Sequence, residues 1–122
     1  MARILIVDDS EFFRETLREI FEQEGHAVAG EAENGAEGFE LYKELRPDLT
    51  TMDITMPVMD GIEALRLILA YDPEAKVIMA SSSAQNNKVS ESLILGAYEF
   101  LPKPFDRNRL LEVVAEVLEE IL

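Results

Sequence analysis

At 122 residues the chain has the length of one ordinary domain, and its 48% apolar content is enough to fill a core. It holds no cysteine, which excludes disulfides, thiolate metal sites and cysteine nucleophiles and fits a reducing, cytoplasmic compartment. A formal net charge of -14 argues against nucleic acid and anionic membranes as partners, and no apolar run approaches the roughly 20 residues that span a bilayer.

Arg3 to Val7 is a run of branched residues and Leu, the pattern of a strand covered on both faces. Ser10 caps a helix with Phe13, Leu17, Ile20 and Phe21 at helical spacing, stopped by Gly25. His26, in the turn that follows, is expected to be solvated. Ala27 to Glu31 is a short second strand. Asn34 and Glu37 form a capping box for a helix through Phe39, Leu41, Tyr42 and Leu45, stopped at Arg46-Pro47. Leu49 to Met52 is the third strand. Asp60-Gly61 opens a helix with Ile62, Leu65, Ile68 and Leu69 inward, and Asp72-Pro73 ends it.

Lys76 to Ala80 is the fourth strand, followed by the polar junction Ser81-Ser82-Ser83. A helix from Gln85 to Leu95 stops at Gly96. Tyr98 to Leu101 is a fifth strand, Leu101 to Phe105 a rigid proline loop, and Leu110, Val114, Val117 and Ile121 the seam of a last helix. Five alternations of strand and helix call for a parallel sheet with helices on both faces, connected by right-handed crossovers.

Acidic residues close two of these strands: Asp8-Asp9 the first and Asp53 the third. In an open α/β sheet, ligands bind beyond the carboxyl ends of the strands, where the strand order reverses. Three crowded carboxylates repel and raise at least one pKa, which a hard divalent cation relieves. Ser81 ends the fourth strand and Lys103 follows the fifth on the same rim, and the two suit phosphoryl oxygens. A carboxylate can attack phosphorus to give an aspartyl phosphate.

Asp8-Asp9, the stretch Asp53-x-x-x-Pro57-x-Met59-Asp60-Gly61, Ser81, and Lys103-Pro104-Phe105 resemble the receiver domain of two-component response regulators, over essentially the whole chain. With the family comes a flavodoxin-like three-layer fold with the strand order 2-1-3-4-5, taken from the resemblance and not from spacing. The resemblance implies one receiver domain over residues 1–122 without an output domain, most like the stand-alone chemotaxis type. It implies phosphorylation of Asp53 by a histidine kinase or phosphotransfer protein, and control of a downstream protein target. It also implies Mg²⁺ on Asp9, Asp53 and the backbone carbonyl of Thr55, with Asp8 acting through water. Lys103 would pair with Asp53 beforehand and bind the phosphoryl oxygens, and Ser81 would close on them. Phe100 holds the aromatic switch position, and the Lys103-Pro104 bond would be cis. A core aromatic of the fifth strand is an equal reading of Phe100.

Some positions depart from the family's commoner pattern: Ser81 stands for Thr, and Phe100 lacks a Tyr hydroxyl. Thr55 and Ser83 flank the approach of water and would tune the lifetime of the aspartyl phosphate. Glu112, Glu116, Glu119 and Glu120 make an acidic last-helix face, which argues against an acidic target motif. Phe12 either meets the phosphodonor or is partly buried against the last helix, and the second reading is favoured. The expected molecule is a monomer when unphosphorylated, with Leu111 and Leu118 leaving dimerisation open, and not a conventional enzyme. The alternatives are a phosphorelay carrier, an Asp-nucleophile phosphohydrolase and a degenerate receiver used as a scaffold.

Overall fold

A computed structural model describes residues 1–82 and 86–121. The elements in chain order are β1 (Arg3–Val7), α1 (Glu11–Gln23), β2 (Ala27–Ala32), α2 (Gly35–Leu45), β3 (Leu49–Asp53), α3 (Gly61–Tyr71), β4 (Val77–Ser81), α4 (Asn86–Leu95), β5 (Glu99–Pro102) and α5 (Arg107–Ile121). The strands pair in parallel in the order β2-β1-β3-β4-β5. Gln85, the expected start of α4, and Ser83 lie outside the described residues.

Strand alternation divides the core into two layers. Leu5, Val7, Met52 and Met79 face a cluster with Tyr42 of α2 and Ile62, Leu65 and Ile68 of α3. Ile4, Ile6, Leu49 and Ile78 face Leu17 and Phe21 of α1 and Leu110, Val113, Val114 and Val117 of α5. With both faces covered, the central strands can be apolar throughout, as Arg3–Val7 shows after its first residue.

The caps act as their residue types dictate. Ser10, Asn34 and Asp60 accept hydrogen bonds from the backbone N–H three residues on, opening α1, α2 and α3. Gly25 and Gly96 take positive φ at helix ends.

Four strands, β2 to β5, run one residue beyond their expected ends. β3 takes in Asp53, which pairs with Ala80; β4 takes in Ser81, which pairs with Pro102. Pairing to a neighbour carries these polar residues into the ladder. Two expectations fail. His26 is half-buried, not solvated: its Nδ1 accepts the Ala2 N–H at 3.0 Å and its ring meets the edge of Phe21, so it anchors the start of β1. Ile121 is 44% exposed, because the last turn of α5 extends past the core, while Val113 is buried.

Candidate functional site: an acidic rim around one ammonium

The carboxyl ends of β1 and β3 are neighbours, and they bring Asp8, Asp9 and Asp53 together with one carboxylate oxygen from each within 4.8 Å of the others. Asp8 and Asp53 are buried and Asp9 is exposed. Lys103 enters from the loop after β5, its side chain only 5% exposed. Its Nζ donates to Asp8 Oδ2 at 2.5 Å and lies 3.4 Å from Asp53 Oδ1. The ring of Phe13 covers the same ammonium, 4.2 Å from centroid to Nζ. The expected ion pair between Lys103 and Asp53 is therefore shared, and the shorter contact is to Asp8.

Burial raises the Asp53 carboxyl, Lys103 pulls it back down and Asp8 and Asp9 push it up, which together leave it at about 6. The set is hard oxygen donors on a partly open rim, which fits a hard divalent cation and offers nothing to a soft one.

The backbone around Asp53 is tightly drawn. Ile54 N–H donates to Ala80 O, and Gly61 N–H donates to Ile54 O at 2.7 Å. A Cβ on Gly61 would stand 2.0 Å from the Asp53 carbonyl oxygen, so the glycine of Asp60-Gly61 is required by this close approach. Between them, Met59 N–H donates to Pro57 O around Val58, whose φ is 69°. That is a γ-turn of the strained hand on a β-branched residue.

Ser81 is buried at the end of β4, and its carbonyl accepts the Lys103 N–H at 3.0 Å. The Lys103-Pro104 bond is cis. Phe100 is half-buried against the cluster under α3 and α4, in register with Met79 of β4. Thr55 is exposed in the loop after β3.

Phe12 corrects the favoured expectation: it is 71% exposed and is not buried against α5. Phe13 takes the inner place, edge-on to Phe105 at 6.3 Å, and Phe12 meets only its edge at 5.6 Å. Arg14 was not anticipated. It is buried on the inner stripe of α1 with Leu17 and Phe21, and its Nη1 donates to the Asp8 carbonyl at 2.7 Å. A charged residue at the i−3 position of an apolar stripe was the legible signal.

Residues 4–115 match the family model described as the response regulator receiver domain. The chain belongs to the response regulator receiver family. It is 52% identical over 118 residues to protein CcdB of Bacillus subtilis, covering 97% of this chain and 98% of that one. It is 49% identical over 115 residues to the chemotaxis protein CheY of Thermotoga maritima, covering 94% and 96%. Among solved structures it resembles a CheX–CheY–BeF3–Mg²⁺ complex from Borrelia burgdorferi, with a TM-score of 0.91, 42% identity and coverage of 95% and 88%. The fold is that of CheY-like receivers, and the family is not an enzyme family in the usual sense. Among the described residues no helix is long and apolar enough to cross a membrane.

Proposed function

We propose that this chain is a cytoplasmic, chemotaxis-type response regulator that takes a phosphoryl group onto Asp53 from a phosphohistidine of a kinase or phosphotransfer protein. The observation that carries the reading is the single ammonium of Lys103 set between two buried carboxylates, with a third carboxylate beside them. Asp53 Oδ attacks phosphorus, the P–N bond to the donor histidine breaks, and its electron pair returns to the imidazole. Lys103, already at the attacking group, meets the charge on the phosphoryl oxygens. Asp9 and Asp53, with the Thr55 carbonyl, would hold Mg²⁺, and Asp8 would contribute through water. When bound, that ion supplies charge neutralisation at the phosphoryl oxygens.

The product carries nearly two negative charges where one stood. The Ser81 hydroxyl can serve one of the new acceptors by moving toward it, and Phe100 can follow into the space behind. The face formed by α4, β5 and α5 then changes and meets a protein target. The chain's chemistry is limited to its own phosphorylation and dephosphorylation, and the unphosphorylated form acts as a monomer.

Incubation with Mg²⁺ and a small phosphodonor should add one phosphoryl group by intact mass, and Asp53→Asn should not take it; equal labelling of that variant overturns the assignment. The chemotaxis role draws on the CheY relatives. Deletion of the gene should alter spreading on swarm plates, and unchanged spreading overturns the chemotaxis role.

A further inference from the structure

We infer that Arg14 is a positioning residue of the acidic rim, fixing the Asp8–Asp9 peptide so that the Asp9 carboxylate stays beside Asp53. The inference rests on the Mg²⁺ reading above. Every polar group of Asp8 is held: its N–H by Ala32 O at 3.0 Å, Oδ1 by the Ser10 N–H at 2.8 Å, Oδ2 by Lys103, and its carbonyl by Arg14 Nη1 at 2.7 Å. Asp9 differs. It is exposed, and among the described residues no hydrogen bond or ion pair reaches its side chain. Its position is inherited from the peptide that joins it to Asp8, and the carbonyl of that peptide is the one Arg14 grips.

Arg14 is itself held. Its Nε lies 3.5 Å from Glu31 and its Nη2 3.5 Å from Glu33, at the end of β2 and just beyond it. Arg18 closes a fork on Glu31, with Nε at 2.7 Å and Nη2 at 3.1 Å. The guanidinium is thus a strut from the end of β2 to the peptide between two of the three carboxylates. A buried planar fork suits this task better than a flexible ammonium. Partners one step removed from a cation typically set its affinity by orienting the groups that touch it.

The experiment compares Mg²⁺ binding, by calorimetry or by competition with Mn²⁺ in electron paramagnetic resonance, in the unaltered chain, Arg14→Met, Arg14→Lys and Glu31→Gln. Circular dichroism monitors the fold of each. Arg14→Met should weaken Mg²⁺ binding on the order of 10- to 100-fold. Arg14→Lys, which keeps one donor, should lose less. Glu31→Gln loosens the anchor of the strut at β2 but leaves the bond to Asp8, and it should weaken Mg²⁺ binding less than Arg14→Met does. Unchanged affinity in folded Arg14→Met overturns the inference, as does a larger loss in Glu31→Gln than in Arg14→Met. Should Arg14→Met not fold, Arg14→Lys decides: a measurable loss supports the strut and none overturns it. Failure of the unaltered chain to bind Mg²⁺ overturns the reading of the site itself, and the inference with it.

Discussion

Lys103 Nζ stands 2.5 Å from Asp8 Oδ2 and 3.4 Å from Asp53 Oδ1, so the resting ammonium leans toward the acid at the end of β1 rather than toward the proposed phosphoacceptor. All three side chains are nearly enclosed. A buried ion pair is worth little over an apolar replacement, but breaking it leaves an uncompensated charge. Lys103→Met should therefore destabilise the fold by about 3 kcal/mol. Adding Asp8→Asn should recover much of that loss, and a double-mutant cycle by urea unfolding measures the coupling. The same Lys103→Met change should move the Asp53 titration above its present value of about 6, because Lys103 is what draws it down; carbon NMR of the carboxyl reads this directly.

Asp53 gives the metal-free protein an unusual pH profile. Its carboxyl titrates near 3.8 when unfolded and about 6 when folded, so the folded state binds the proton more tightly. The stability this contributes is present below pH 3.8 and is lost as pH rises through about 6. The loss amounts to about 3 kcal/mol above that range. Asp53→Asn removes it along with a contact to Lys103, and should stabilise the metal-free protein at pH 7.5 by about 2 kcal/mol. The gain should shrink toward pH 4. Mg²⁺ should raise the melting temperature of the unaltered chain but not that of the variant.

β3 carries a cost of its own. The hydroxyls of Thr50 and Thr51 are buried without a hydrogen-bond partner among the described residues. One faces each layer of the core. An unsatisfied buried hydroxyl costs about 1–3 kcal/mol, and Val keeps the branched shape a strand prefers. Thr50→Val and Thr51→Val should each raise unfolding stability by about 1 kcal/mol, read as a higher urea midpoint at unchanged slope.

The loop from β3 to α3 predicts two opposite results. Val58→Asn should stabilise the protein by about 1 kcal/mol, since Asn tolerates the positive φ that a β-branched residue resists. Gly61→Ala should cost about 3 kcal/mol or more and slow phosphorylation of Asp53, because the new Cβ displaces the Asp53 carbonyl. Thermal melts and intact-mass labelling check both.

Much of this is legible in the sequence. Short apolar runs mark the five strands and period-3.6 patterns the helices, and the caps at Ser10, Asn34 and Asp60 are readable because a side-chain oxygen three residues from a free N–H acts locally. The rim residues Asp8, Asp9, Asp53, Ser81 and Lys103 were legible because strand ends define where a polar residue must stop. The placements of Phe12, His26 and Arg14 are not legible there for one reason: each is decided by a neighbour far along the chain or by a choice between adjacent side chains. Phe13, not Phe12, meets Phe105; His26 meets Ala2; Arg14 meets Asp8 and Glu31.

Local periodicity and spacing dictate which elements form and which side chains line the carboxyl rim. The strand register, the sharing of one ammonium between Asp8 and Asp53, and the burial that raises the Asp53 carboxyl arise from packing in three dimensions. Charge interactions and desolvation depend on ångström-scale distances between groups up to 95 residues apart in the chain.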